Sequence, residues 1–272
     1  MEKNREILVV NDDGFRARGI QVLAQMLRRW GNVTVVAPYE PQSGKSVSLT
    51  LDKPLMIENP VKEPAGEGFG SLRVYTLTGT PADCAKLGIN LYLYEGGLPD
   101  LLVSGINHGS NASAAAIYSG TLGATTEGAL YGIPSVGLSI DTHDDNPDFE
   151  GVLFYGSKIL ERVMRDGLRQ GVYLNVNFPA IPKDQIRGFR MGRQGKGRWV
   201  KEFDHRVTTR GKHYFWMVGE FEDQEAVGAA DADHHIVGHG YVSIVPHRVD
   251  TTDYEELERL RDLWGFDSGT DQ

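Results

Sequence analysis

The sequence predicts an α/β fold: a mostly parallel sheet followed by a β-rich C-terminal segment. Three observations predict it. Short apolar runs of strand length recur at residues 7–10, 33–38, 101–103 and 133–139. Most are separated by segments whose apolar residues fall at helical spacing, the order that makes βαβ units with parallel strands. After Pro179 the texture changes to short alternating runs and charged loops. The division expected is a catalytic core over 1–180 and, over 181–272, an arm with a β-hairpin and a C-terminal helix. A chain of 272 residues is long enough for one large α/β domain with such an appendage.

Ile7, Leu8, Val9 and Val10 form a buried strand that ends in Asn11, Asp12, Asp13 and Gly14. Ile20, Leu23, Ala24 and Leu27 mark a helix over 19–30, closed by Gly31 and Asn32. Residues 33–38 return as the second strand. The polar segment 40–46, which holds Ser43, therefore leaves the sheet at the same end as Asp12 and Asp13. Residues 47–57, with Pro54 inside, read as edge or irregular β structure. Residues 59–70 are rich in Pro, Gly and Glu and read as a surface loop, and 73–78 as a short strand. Thr80 as N-cap with Pro81 at the first helical position opens a helix carrying Ala85, Leu87, Ile89 and Leu91.

Residues 101–103 are the third core strand, and Ser104 to Asn111 read as a glycine-rich polar loop after it. Tyr118, Ser119, Gly120 and Thr121 precede a helix of small residues over 122–131. A fourth strand over 133–139, an amphipathic helix over 149–165 and a strand over 172–177 complete the core. In the arm, 213–218 and 241–245 alternate like antiparallel strands. A last helix over 252–264 carries Leu257, Leu260 and Leu263.

Open α/β sheets place ligands beyond the carboxyl ends of their strands. Asp12 and Asp13 stand at such an end. Two adjacent carboxylates resist ionising together unless a cation relieves their repulsion, and a hard divalent ion such as Mg²⁺ or Mn²⁺ takes oxygen ligands. The plain alternative is a strand followed by an Asx turn. Ser43 and Asn107, each after another core strand, add a hydroxyl and an amide oxygen to make a partial shell for one such ion.

Charge narrows the partners. The formal net charge of −9 argues against stable binding to nucleic acid, which needs a basic surface. No apolar run reaches membrane-spanning length, and residues 1–6 lack an apolar leader core. One cysteine, Cys84, fits a reducing compartment. The expectation is a soluble cytoplasmic protein with no membrane partner.

Three features invite other readings. His234, His235 and His239 have a spacing that ligates zinc on a helix, but no fourth ligand is evident and Gly238 and Gly240 disfavour a helix. The basic stretch Arg187, Arg190, Arg193, Lys196, Arg198 and Lys201, with Phe189 and Trp199, reads as a solvated hairpin or subunit contact in so acidic a chain. Cys84 has no paired histidine and reads as core, not nucleophile.

The chain resembles the SurE family, the stationary-phase survival nucleotidases. The resemblance is carried by Asn11-Asp12-Asp13-Gly14, by Ala37-Pro38 with Gln42-Ser43-Gly44, and by Gly79-Thr80-Pro81-Ala82-Asp83-Cys84. It continues through Ser104-Gly105-Ile106-Asn107, Tyr118-Ser119-Gly120-Thr121, Glu127-Gly128, Asn175-Val176-Asn177, Arg193-Gln194-Gly195 and Gly240-Tyr241-Val242-Ser243. It spans almost the whole chain. The departures are Ala17-Arg18-Gly19 where the family often has Ala-Pro-Gly, Tyr39 where it usually has an acid, a thinner match over 231–239, and Val245-Pro246-His247 in place of Thr-Pro-Leu.

The resemblance implies a Rossmann-like core, a C-terminal arm swapped between subunits, and a homodimer or homotetramer. It implies metal-dependent hydrolysis of nucleoside 5′-monophosphates, and of 3′-monophosphates, with one Mg²⁺ or Mn²⁺ per subunit. The ligands it implies are Asp12, Asp13, Ser43 and Asn107, with Asp12 and Asp13 also catalytic. Ser104, Gly105, Ser119, Gly120 and Thr121 are then candidate donors to the phosphate oxygens, the last three at a helix start that favours anions. Asn111 is a candidate substrate or supporting residue. Two readings compete: a phosphatase for polyphosphate or other phosphomonoesters, and a magnesium-binding signalling module of the receiver kind. The chain length, the Ser119 segment and the β-rich tail weigh against the second.

Overall fold

A computed structural model describes residues 5–142, 144 and 146–265. In chain order the elements are β1 (Arg5–Val10), α1 (Arg18–Leu27), β2 (Gly31–Pro38), β3 (Ile57–Glu63), β4 (Leu72–Leu77), α2 (Pro81–Tyr94) and β5 (Leu101–His108). Then come α3 (Ala115–Tyr118), α4 (Gly120–Leu130), β6 (Ser135–Asp141), α5 (Glu150–Asp166) and β7 (Val172–Pro179). Beyond them lie β8 (Phe189–Met191), β9 (Gly197–Val200), β10 (Phe203–Val207), β11 (His213–Met217), β12 (Glu220–Asp223), α6 (Asp233–Gly238), β13 (Val242–Arg248) and α7 (Tyr254–Trp264).

The central sheet among the described residues runs β3-β4-β2-β1-β5-β6-β7-β13-β8. From β4 to β7 every neighbouring pair is parallel; β3 joins β4, and β13 joins β7, antiparallel. Alternation along β1 explains its burial on both faces. Ile7 and Val9 pack with Ile20, Leu23 and Leu27 of α1 and with Ile159, Leu160 and Val163 of α5. Leu8 and Val10 pack with Cys84, Ala85 and Ile89 of α2 and Ala124 of α4. α2 starts as its sequence dictates: the Thr80 hydroxyl accepts the Asp83 N–H and the Asp83 carboxylate accepts the Thr80 N–H, a reciprocal cap.

Four expectations need correction. Residues 59–70 are not all loop, since β3 extends through Glu63 as an edge strand; its register shifts between Glu58 and Val61, an irregularity that accommodates Pro60, which has no N–H to donate. Residues 47–56, read as β structure, hold no strand. The segment after Val103 is not a loop either: β5 continues to His108, with a register shift against β6 between Ser104 and Asn107. Finally, Gly238 does not prevent a helix, for α6 forms over 233–238 as one short turn and a half. The stretch beyond residue 180 also divides. β8 and β13 complete the central sheet, whereas β10–β11 and β9–β12 form two separate two-stranded sheets. No described helix is long and apolar enough to cross a membrane.

Candidate functional site

β2, β1 and β5 are adjacent and parallel, so the segments that leave their carboxyl ends emerge side by side. Asp12 and Asp13 follow β1. Asp12 is almost wholly buried, and its carboxylate accepts the Thr121 hydroxyl at 2.6 Å from the first turn of α4. The Thr121 backbone N–H also supports it. A Cβ on Gly120 would lie 2.9 Å from the Asp12 Cβ and 3.2 Å from its Oδ2, so only glycine lets the helix start come this close. Asp13 turns toward β5, where its Oδ2 accepts the His108 backbone N–H at 3.2 Å and meets the His108 ring at 3.5 Å.

The Ser43 segment is tied down on both sides. The Gln42 N–H donates to the Asp12 carbonyl at 2.7 Å. Ser46 donates its N–H to the Tyr118 carbonyl and its hydroxyl to that of Ile117. Ser43 itself is exposed between these anchors. Asn107 lies within β5, beside His108. Its side-chain nitrogen donates to the Gly109 carbonyl at 2.8 Å, which commits the amide and leaves the oxygen as the acceptor.

The proposed anion donors have varied surroundings. Ser119 caps α4, its oxygen accepting the Leu122 N–H, so its own O–H remains available to donate. The Thr121 hydroxyl is already spent on Asp12. Ser104 sits inside β5 level with Val10, and its buried hydroxyl makes no hydrogen bond among the described residues. Gly105, at φ 135°, lies where a Cβ would meet the Leu138 carbonyl oxygen at 2.4 Å; β5 and β6 approach here only because it is glycine. Asn111 is buried in a polar ladder: its N–H donates to Asn177 Oδ1, its side-chain nitrogen to Ser139 Oγ, and its carbonyl accepts the Asn175 side chain, all at 2.8 Å. Asn177 in turn donates to Asn175.

Electrostatics mark the pair. Burial, and then the charge of Asp13, push the Asp12 carboxyl up to about 7 against the pull of Thr121. Burial raises Asp13 as well, opposed by the His108 N–H and ring. Two acids side by side at a helix start, each destabilised as an anion, suit a divalent cation; Asp12, Asp13, Ser43 and Asn107 offer it oxygens, with the His108 ring 3.5 Å from Asp13. The residues present therefore fit Mg²⁺ or Mn²⁺.

Reading the sequence alone missed His108, Gln42 and the Ser139–Asn175–Asn177 support of Asn111. The Asn175-Val176-Asn177 stretch was a signal: two amides at strand spacing face one way and need partners when buried. The alternative features resolve plainly. Arg193 pairs with Glu225 and Asp231, Arg198 with Glu222 and Lys201 with Glu220, while Arg187 and Arg190 lie over the Tyr241 ring. Cys84 is fully buried, and burial holds its thiol well above the ordinary range.

Comparison with known proteins agrees with this architecture. The family model described as Survival protein SurE matches residues 7–201. A protein of Cytophaga hutchinsonii named 5′-nucleotidase SurE is 40% identical over 260 residues, 96% of this chain and 97% of its own. A protein of the same name from Chlorobaculum tepidum is 38% identical over 260 residues, 96% of this chain and 94% of its own. The crystal structure of the SurE protein from Aquifex aeolicus superposes with a TM-score of 0.77 at 34% identity, covering 95% of this chain and 99% of that one. A match that runs through the acidic pair, the α4 start and the asparagine ladder alike places the chain in one group: it belongs to the SurE family.

Proposed function

We propose that the chain hydrolyses nucleoside 5′-monophosphates, and 3′-monophosphates, to nucleoside and inorganic phosphate. The observation that carries this reading is the Asp12–Asp13 pair at the β1 end, with Asp12 buried and fastened to the start of α4 by Thr121. The family membership and the names of the relatives support the same activity. Asp12, Asp13, Ser43 and Asn107 are the residues that hold one divalent ion per subunit. When bound, Mg²⁺ or Mn²⁺ supplies positive charge against the phosphate oxygens and a more acidic water.

The chain's own groups do the rest. The Gly120 N–H and the Ser119 O–H, at the positive end of α4, bind phosphate oxygens. Ser104 and Gly105 back the pocket from β5, and the ladder below Asn111 holds its segment still against the substrate. Phe15 stacks on Tyr39 at 5.7 Å with Arg16 over both rings, and this aromatic edge, two residues from Asp13, faces the nucleoside. In one route a water oxygen bonds to phosphorus, its proton passes to Asp12 or Asp13, the ester P–O bond breaks, and the nucleoside oxygen takes a proton from solvent. In the other, Asp12 or Asp13 bonds to phosphorus as the ester P–O bond breaks, the nucleoside oxygen takes a proton from solvent, and water then hydrolyses the acyl phosphate. An acid-stable, base-labile phosphoenzyme under single-turnover conditions identifies direct attack; its absence identifies water.

Phosphate release from a panel of nucleoside monophosphates, with Mg²⁺, Mn²⁺ or chelator, tests the reading. Turnover with either ion and none with chelator is expected. Asp12→Asn and Asp13→Asn each lower turnover by on the order of 10³ or more while the circular dichroism spectrum stays native. Undiminished turnover in chelator rejects the ion, and no release from any nucleotide rejects the substrate.

The remaining proposal concerns assembly. β10–β11 exposes Phe203, Phe215 and Met217 on one face and Trp216 on the other, apolar surface that a monomer would leave in water. Residues 181–272 therefore serve, in part, as an oligomerisation arm that exchanges this hairpin between subunits of a homodimer or homotetramer.

A further inference from the structure

A second cluster of ligating side chains lies where the arm meets the core. Asp223 ends β12; His234 and His235 are the second and third residues of α6. His234 Nε2 stands 3.1 Å from Asp223 Oδ1, and His235 Nε2 stands 2.7 Å from Asp223 Oδ2. The three ligand atoms all lie within 4.8 Å of one another. His239 is not among them, because its ring turns back to the His235 carbonyl.

The other ring nitrogens decide what this cluster can do. His235 Nδ1 meets the Ala229 carbonyl at 2.7 Å. A carbonyl only accepts, so Nδ1 carries the hydrogen. His234 Nδ1 faces the buried carboxylate of Asp233 at 3.5 Å, which sets the same tautomer. Both Nε2 atoms therefore face the two oxygens of one carboxylate, and the ring centroids stand 4.3 Å apart. One divalent ion placed between the rings and the carboxylate meets all three groups.

We propose that Asp223, His234 and His235 bind a divalent transition ion of the zinc class and clasp the β9–β12 sheet to α6. Two imidazoles and one carboxylate suit zinc, cobalt or nickel rather than magnesium, in contrast to the oxygens offered by Asp12, Asp13, Ser43 and Asn107. Ligands at about 2.1 Å in a tetrahedron lie about 3.4 Å apart, a separation close to the 3.1 Å and 2.7 Å at which the two Nε2 atoms stand from the Asp223 oxygens. Nδ1 hydrogen bonds to a carbonyl and a carboxylate are the outer support that metal-bound histidines use. The Asp223 side chain is 44% exposed, which leaves a coordination position to water.

The ion would add to the contacts that already join these two parts, the Phe221 ring against His234 and the Gly195 N–H on Asp233. β12 pairs with β9 outside the central sheet, whereas α6 packs on β13 and β7 within it. Asp233, next to the histidines, accepts the backbone N–H groups of Ser113 and Gly195. The clasp thus ends two residues from Asn111.

Zinc uptake by the chelator-stripped full-length protein, measured by equilibrium dialysis in excess Mg²⁺, tests this. The expected result is one more zinc ion per chain in the native protein than in a His234→Gln/His235→Gln variant, or an affinity at least about tenfold weaker in that variant. Asp223→Asn, at an exposed strand end, gives the same loss without touching α6 and covers the case in which the double variant misfolds. Zinc also slows proteolytic cleavage within residues 197–223 of the native chain and not of the variants. Equal zinc uptake by the native protein and Asp223→Asn overturns the proposal, as does no zinc uptake by the native protein.

Discussion

Thr121 shows how much one side chain decides. Its hydroxyl and N–H both serve Asp12, so Asp12 keeps one orientation despite being crowded by Asp13. Thr121→Val keeps the shape and removes the hydroxyl; turnover or metal affinity is expected to fall about 10- to 100-fold, read from steady-state kinetics against ion concentration. His247 offers a different readout at this scale. It is stacked on Tyr173, its buried Nε2 makes no hydrogen bond among the described residues, and burial holds its pKa below the ordinary 6.5. The unfolded chain therefore takes up a proton that the folded chain refuses. Its contribution to stability is full above about pH 6.5 and is lost as pH falls from there toward the folded value. His247→Phe is expected to flatten that part of the stability curve, measured by urea unfolding across pH 5 to 7, estimated as about one pH unit either side of the histidine range. The acidic pair could be singled out in the sequence because it follows an apolar strand directly, although Asn, Asp and Gly there also suit a plain turn. His108, Ser139 and Asn177 were not, because each acquires its role only from a neighbour on another strand.

Among the elements, α4 is the one that the site depends on most. Its start is packed against Asp12 through Gly120, and its cap is Ser119. Gly120→Ala forces a Cβ into the Asp12 side chain and Pro81 Cγ, both at 2.9 Å. The expected outcome is a destabilisation of about 1–3 kcal/mol in urea unfolding, and a drop in kcat larger than a remote Gly→Ala change produces. The strands were readable where apolar residues run together, as in β1 and β2. They were misread where polar residues occupy the sheet. Ser104 and Asn107 look like loop residues, yet both are buried in β5. β3 was hidden for a related reason: an edge strand tolerates the Asn59 and Pro60 that otherwise announce a loop.

For the whole molecule, the exposed aromatic hairpin predicts a defined assembly. Replacing Phe203 and Trp216 by serine is expected to shift the protein to a smaller species in light-scattering chromatography, with the monomer fold retained by circular dichroism. The general plan was legible, because strand-helix alternation specifies a parallel sheet. The return of β13 beside β7 was not, since pairing across 60 residues leaves no local trace, an interval of roughly that order being closed only by the folded chain. Such late pairing also bears on Asn177, which lies opposite Ser243 of β13 while its side chain holds Asn111. Synthesis on the ribosome proceeds from the amino terminus, so Asp12 emerges long before β13. A half-made polypeptide thus carries the acidic pair while the strand opposite Asn177 is still missing, and this side of the sheet is completed only once Arg248 has been made.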